Sequence, residues 1–253
     1  MTDAPPNAVL PPHPTLPRYY ADDGARAGFV RRIFDAGAAD YDRIERMMAL
    51  GSGSWYRRRA LRRAGLAAGM RVLDVAIGTG LVAREEVGLV GDPARVLGLD
   101  PSAGMLAQAV NNLSVQVVMG RAEELPLCGD QFDFLSMGYA LRHIADLTRA
   151  FGEFHRVVRP GGVVCVLEIT RPRGRIAAAL LRQYLRRLVP ALARLTGRRA
   201  ESPMLWEYFW DTIAACVPAE RVMAALTAAG FADVRVRKDL GIFSQYTARK
   251  PDA

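Results

Sequence analysis

The apolar positions of this chain follow two alternating rhythms. Short apolar blocks, such as Val72-Leu73-Asp74-Val75 and Val96-Leu97-Gly98-Leu99, are separated by longer stretches whose apolar residues recur every three or four positions. The blocks predict strands near 71–75, 96–99, 115–119, 132–137 and 163–168. The longer stretches predict helices near 81–90, 102–112 and 146–158, with Ser102 as N-cap of the second. Parallel strands need such crossovers, which put helices on both faces of one sheet. Pro160-Gly161-Gly162 is expected to stop the third helix before the next strand. Val234 to Arg237 and Phe243 to Lys250 supply two further strands around Asp239-Leu240-Gly241.

The flanks follow other patterns. Residues 1–18 hold prolines at 5, 6, 11, 12, 14 and 17 and few large apolar groups, so residues 1–27 read as an extended, disordered tail. From Gly28 to Arg63 the spacing is helical. Phe29, Ile33 and Phe34 share one face, and Tyr41, Ile44, Met47 and Met48 continue it until Gly51-Ser52-Gly53-Ser54 breaks the run. A basic helix carrying Trp55 follows. Further on, Ala177, Leu180, Leu181, Tyr184, Leu185, Leu188, Leu192 and Leu195 fall on one helical face, opposite Arg175, Arg182, Arg186, Arg187 and Arg194. Pro190 should kink that helix or start a second.

Charge changes this picture in one place. The formal net charge is +8, but Thr170 to Ala200 holds nine arginines and no acid, so removing that segment leaves −1. The basicity is local, and it does not make a nucleic-acid field over the molecule. The plain reading of the arginine face is solvation; the alternative is contact with anionic lipid. Cys128, Cys165 and Cys216 form no C-x-x-C pair, which argues against a disulfide framework or a metal site. No signal peptide or span of roughly twenty apolar residues is evident, and a cytoplasmic setting is expected.

Candidate chemistry begins where the block Arg71 to Val75 runs into Ala76-Ile77-Gly78-Thr79-Gly80. Strand, glycine turn and helix turn backbone N–H groups and a positive helix end toward a ligand. Asp100 ends the second strand, placed to accept hydrogen bonds from two ribose hydroxyls. Asp74 suits a ligand's ammonium group better than a pyrophosphate, which it would repel. The spacing itself also satisfies the dinucleotide fingerprint, so a nicotinamide oxidoreductase stays open at this point.

The wider motif set separates the two. Asp74-x-Ala76-x-Gly78-Thr79-Gly80, Gly98-Leu99-Asp100-Pro101-Ser102, Met105-Leu106, Ala122-Glu123-x-Leu125-Pro126-Leu127, Phe132-Asp133 and Arg159-Pro160-Gly161-Gly162 resemble the class I S-adenosylmethionine-dependent methyltransferases. Tyr41-Asp42, Tyr139-Ala140-Leu141-Arg142-His143, Val166 to Pro172, Tyr208 to Pro218 and Ala229-Gly230-Phe231 are most similar to the ubiquinone/menaquinone biosynthesis C-methyltransferases. The resemblance implies a single-domain α/β, Rossmann-like, doubly wound seven-stranded sheet whose last strand pair is antiparallel. It also implies a helical lid over 28–65, a cofactor-binding core over 66–170, a basic helical cap over 171–220, and a closing helix and strand pair over 221–253.

By that resemblance S-adenosyl-L-methionine is the cofactor, held by Asp74, Ala76, Gly78, Thr79, Gly80, Asp100, Pro101, Met105, Ala122, Glu123 and Met137, with no metal. Arg142 matches the family's loop arginine, able to stabilise a phenolate or orient a water. Tyr139 and Tyr41 stand near the acceptor. Five positions depart from the pattern: Ile77 and Ala140 replace glycines, His143 and Glu45 replace asparagines, and Arg121 stands where an adenine-binding Asp or Asn is usual. A histidine of ordinary pKa, about 6.5, can itself act as a base; packing is the plainer role.

The implied function is methyl transfer to a small aromatic or quinol-like acceptor, C-methylation in quinone biosynthesis. The alternatives are N- or C-methylation of a soluble heterocycle and, more remotely, an oxidoreductase or a non-catalytic binding protein. The sequence leaves oligomeric state open.

Overall fold

A computed structural model describes residues 9–39, 41–48, 52–191 and 203–252. Three helices lead, α1 (Asp23–Gly37), α2 (Tyr41–Met48) and α3 (Ser52–Arg63). The core then alternates β1 (Val72–Val75), α4 (Leu81–Val90), β2 (Val96–Asp100), α5 (Ala103–Asn112), β3 (Gln116–Met119), β4 (Phe132–Gly138), α6 (Leu147–Val157) and β5 (Val158–Ile169). After α7 (Arg175–Gln183) come α8 (Pro203–Ala215), α9 (Ala219–Ala228), β6 (Ala232–Asp239) and β7 (Phe243–Arg249).

The strands form one seven-stranded sheet in the order β3-β2-β1-β4-β5-β7-β6. All pairs are parallel except those of β7, which runs antiparallel to β5 and β6. Apolar side chains cover both faces. Phe151, Phe154, Val222 and Leu226 pack on one, and Leu61, Val82, Val90 and Leu106 on the other. The strand order reverses between β1 and β4, and ligands of open α/β sheets settle at that switch point, beyond the carboxyl ends of the strands.

Local chemistry fixes the element ends. The Ser102 side chain caps α5 by accepting the Met105 N–H at 3.0 Å, and Asp146 caps α6 through the Thr148 N–H at 3.0 Å. Gly91, at φ +87°, ends α4 with its N–H on the Val87 carbonyl. Pro160-Gly161-Gly162 is no separate turn. The helix ends at Val157, the strand starts at once, and these residues form a bulge that shifts the β4–β5 register between Phe132 and Phe134. The break expected across 51–54 is also shorter, since α3 already begins at Ser52.

Residues 9–22, expected as disordered tail, are docked. The Leu147 N–H donates to the Leu10 carbonyl at 2.9 Å, and the Val217 N–H to the Pro12 carbonyl at 2.7 Å. His13 is fully buried, with its carbonyl on the Arg26 guanidinium at 3.1 Å. Tyr20 packs on Phe29, and Tyr19 donates to Asp211 at 2.7 Å. The prolines hold an extended strap whose few aromatic groups all find partners, so composition misled the expectation. Residues 1–8 lie outside the described residues.

The basic helix also differs. Ala178, Leu185 and Val189 are buried, whereas Leu180 and Leu188 of the predicted buried face are exposed. Pro190 does not break the chain. A π-helical turn over Tyr184–Leu188 widens the backbone, with the Val189 N–H reaching back to the Tyr184 carbonyl, and helical geometry resumes at 189. Such a widened turn accommodates the N–H that proline lacks. Leu192, Leu195 and Arg194 lie outside the described residues, as do the side chains of Ile44, Met47 and Met48.

Deleting residues 1–21 removes two backbone hydrogen bonds and uncovers aromatic surface. The melting temperature is expected to fall by roughly 5 °C or more, at about 2–4 °C per kcal/mol for a domain of this size. An unchanged melting curve would show that the strap contributes nothing to stability.

Candidate active site

Two cavities meet above the switch point. The first, of about 310 Å³, is lined by the glycine turn, the end of β2, Met105, Ala122, Glu123, Met137 and the loop after β4, with Phe34 and Tyr41 as cover. The second, of about 1210 Å³, is walled by Tyr56, Leu181, Leu185, Trp206, Phe209 and Phe243. Tyr41, Glu45 and Tyr139 line both, so they form the neck between them.

The turn builds the first cavity from backbone. Ala76, Gly78 and Gly80 have φ of +59°, +58° and +92°, a conformation that glycine reaches without steric cost. Asp100 holds this bend in place: its carboxylate accepts the Gly78 N–H at 3.0 Å and the Ser102 N–H at 2.8 Å. Burial raises its pKa to about 6. Each oxygen keeps a lone pair for a further donor. Ile77 donates its N–H to the Leu99 carbonyl and fits its side chain over Gly98, where a Cβ would lie 2.2 Å from the Ile77 Cδ1. Its bulk is accommodated in the core by the missing side chain on the next strand.

Not every predicted residue reaches this cavity. Ala76, Gly78, Thr79, Asp100, Pro101, Met105, Ala122, Glu123 and Met137 line it; Asp74 and Gly80 do not. Asp74 is 1% exposed, and its Oδ1 accepts the Ser136 hydroxyl at 2.9 Å. Burial lifts its pKa to about 7. Glu86, also fully buried, has neither oxygen hydrogen-bonded, and burial together with the Asp74 charge pushes its pKa well up. Arg121 stands at the rim, paired with Glu123 at 3.5 Å, while the Glu123 carboxylate also accepts the Ala145 N–H at 2.7 Å.

The loop after β4 separates the expected catalytic residues. Tyr139 sits at φ +61°, and burial raises its pKa. Arg142 is buried against Glu168, the two forming an ion pair, and donates to the Tyr139 carbonyl at 2.9 Å. Glu168 also accepts the Ile169 N–H at 2.7 Å. Both guanidinium bonds of Arg142 come from Nη1, whereas its Nε is buried without a partner, and the residue borders the second cavity. His143 lies at the first cavity, its Nδ1 3.0 Å from the Tyr208 hydroxyl and its Nε2 without a partner. Burial, then the Arg142, His13 and Arg26 charges, hold its pKa well below 6.5, so the imidazole stays neutral. That weakens its role as a base, because an effective base has a pKa near the working pH.

Two lid contacts were not legible in the sequence. Asp42 accepts the Thr79 hydroxyl and the Asn112 side-chain N–H, the latter at 3.2 Å, and so fastens α2 to the glycine turn. Asp35 accepts the Ser102 hydroxyl at 2.5 Å and the Gly104 N–H at 3.0 Å, fastening α1 to the start of α5. Each joins residues far apart in the chain. Only the position of Asp42 beside Tyr41 was a signal.

The family model for the ubiE/COQ5 methyltransferase family matches residues 22–250. The chain belongs to the ubiE/COQ5 methyltransferase family. Among its relatives, a ubiquinone/menaquinone biosynthesis C-methyltransferase of Coxiella burnetii is 32% identical over 81% of this chain and 83% of that protein. A demethylmenaquinone methyltransferase of Mycobacterium sp. is 33% identical over 88% and 94% of the two chains. The fold is similar to a possible histamine N-methyltransferase of Thermotoga maritima (TM-score 0.63, 20% identity, 87% of this chain and 99% of that one). It is also similar to a phosphoethanolamine N-methyltransferase of Haemonchus contortus (TM-score 0.58, 19% identity, 78% and 52%), solved with S-adenosylhomocysteine. This ubiE/COQ5 chain is an S-adenosylmethionine-dependent methyltransferase. The bare turn, the Asp100 carboxylate and a cavity of about 310 Å³ suit the nucleoside and the methionine moiety of that cofactor.

A ribose bound by Asp100 requires the ionised carboxylate. Calorimetry with S-adenosylhomocysteine should therefore show affinity falling as the pH drops through about 6, the raised pKa of this group. Asp100→Asn should bind at least about tenfold more weakly at pH 8 and lose this dependence near pH 6, since charge-assisted hydrogen bonds are lost. Equal affinity in the variant would mean that the ribose lies elsewhere.

Proposed function

We propose that this methyltransferase C-methylates the ring of a quinol bearing an apolar prenyl tail. The second cavity carries this reading. It is about four times the volume of the cofactor cavity, apolar along most of its wall, and joined to it at the Tyr41–Glu45–Tyr139 neck. A soluble heterocycle needs no such volume, whereas burying a tail gains about 0.8 kcal/mol per CH₂. The names of the curated relatives agree with this class of acceptor.

S-adenosylmethionine supplies a methyl group on a positively charged sulfur. The protein's part is to hold the acceptor carbon at near-attack distance in a site that excludes water, which can account for most of the acceleration. Arg142, tied to Glu168 and the Tyr139 carbonyl, is the positioning residue that sets the loop after β4. Glu45 and Arg57 pair at 2.6 Å beside the neck and fix its width. Tyr41 and Tyr139 border the acceptor ring.

The mouth of the second cavity supports a further element of the proposal. Trp55, Leu180 and Leu240 line that cavity and are 62%, 66% and 88% exposed. Arg173, Arg175, Arg182 and Arg187 are exposed nearby in sequence. Exposed apolar groups with flanking cations suit the surface of an anionic bilayer, where a prenylated quinol resides. No described helix is long and apolar enough to cross a membrane.

Leu180→Glu places a charge at the mouth without disturbing the core. It should lower kcat/KM for a prenylated acceptor by about tenfold or more and leave a tail-less analogue unchanged; equal effects on both would sink the tail assignment. In a flotation assay the protein should rise with vesicles containing phosphatidylglycerol and not with neutral ones. Failure to bind acidic vesicles ends the membrane element alone.

A further inference from the structure

The imidazole of His143 has one nitrogen engaged and one without a partner. It lies between the two cavities: its ring is 5.1 Å from that of Phe34, which lines the first, and 6.2 Å from that of Phe209, which lines the second. On its other side the Tyr208 ring stacks at 5.4 Å and 25°, and the Tyr208 hydroxyl meets Nδ1. Tyr208 is itself fully buried, wedged edge-on between Tyr19 and Phe29. The imidazole is thus fixed in place and orientation.

The proton positions follow from elementary chemistry. A phenol is the better donor of the two and an imidazole nitrogen the better acceptor, so Tyr208 donates to Nδ1 and the ring hydrogen sits on Nε2. Burial reinforces this state, raising the Tyr208 pKa and lowering that of His143. Neither group gives up or takes a proton near neutrality. The unpartnered atom is then a buried N–H donor on a residue that lines the first cavity. Buried N–H groups without an acceptor are rare in folded proteins, and one at a ligand cavity awaits an acceptor atom from the ligand.

We infer that His143 is a neutral electrophilic catalytic residue, donating its Nε2–H to the ring oxygen of the acceptor, with Tyr208 as the positioning residue that fixes the tautomer. This deepens the quinol proposal and rests on it. The hydroxyl proton passes to solvent as the quinol binds, and the negative charge left on that oxygen raises electron density at the neighbouring ring carbon. That carbon takes the methyl group as the methyl–sulfur bond breaks and the sulfur becomes neutral. The ring then regains aromaticity by losing its carbon-bound proton and regaining one on oxygen. A fixed donor aimed at developing charge favours the ionised form without first having to reorganise. The family's asparagine at this position also carries an N–H, so the substitution preserves a donor while adding a ring that packs among aromatic groups.

The test separates donor, base and packing roles. His143→Phe keeps the ring stacking and removes the donor; kcat on a prenylated quinol should fall about 10²-fold or more, with S-adenosylhomocysteine affinity within about threefold of wild type, the spread that a contact outside the cofactor gives. His143→Asn should recover most of that loss. Nitrogen-15 spectra of labelled histidine should show the Nε2–H tautomer, and Tyr208→Phe should mix the tautomers. A second readout needs no turnover: a prenylated nitrophenol, whose phenolate absorbs visible light, should ionise at least about one pH unit lower on wild type than on His143→Phe, a tenfold difference. Binding without such a difference, an Nδ1–H tautomer, or no recovery by Asn overturns the inference. A fall in S-adenosylhomocysteine affinity would overturn it by assigning the donor to the cofactor. If the nitrophenol binds to neither protein, the quinol reading itself fails.

Discussion

One carboxylate connects the parts of the site that come from different strands. Asp100 ends β2, yet its two oxygens hold the Gly78 N–H of the turn after β1 and the Ser102 N–H that opens α5. The bend has three positive-φ residues, and Asp100 adds to the restraint that the Ile77–Leu99 backbone bond and the Asp42–Thr79 contact give it. Burial raises the Asp100 pKa, which is the cost of holding an acid between two backbone N–H groups. The core supports the same bend from below, because Ile77 fits into space left open by Gly98. Turn geometry and core packing therefore rest on one pair of adjacent strands.

Much of this was readable from sequence because it is local. The central strands and helices follow from short-range periodicity, and α5 starts where Ser102 predicts. The shape of the turn after β1 was legible for the same reason: Gly78 and Gly80 adopt positive φ, and Asp100 reaches the Gly78 N–H from the next strand. What escaped notice is long-range. The strap over residues 9–22 looked like tail because prolines dominate it, while its order comes from Leu147, Val217 and Asp211, far along the chain. Nor could sequence show that Asp74 would lie behind the cavity wall beside Glu86. Burial on a given face is a property of the assembled sheet.

The loop after β4 shows how identity and role separate. Arg142 and His143 are neighbours in sequence and were both candidates for chemistry, but they face different surroundings. Arg142 closes an ion pair with Glu168 inside the protein, where removing either partner would leave a buried charge uncompensated. His143 is held by an aromatic hydroxyl and keeps one nitrogen unpaired. The difference arises from α8, which brings Tyr208 and Phe209 over the loop, and from the N-terminal strap, which braces α8 through Tyr19. A roof helix thus decides what two adjacent side chains can do.

The lid contacts have a consequence for traffic. Asp35 and Asp42 fasten the leading helices to both loops that shape the first cavity, so parting those helices from it means breaking the hydrogen bonds of two carboxylates. The apolar chamber opens elsewhere, past Trp55, Leu180 and Leu240, through a doorway that neither latch guards. The two cavities thus reach the surface by separate routes, and hydrogen-bonded carboxylates span one of them and not the other.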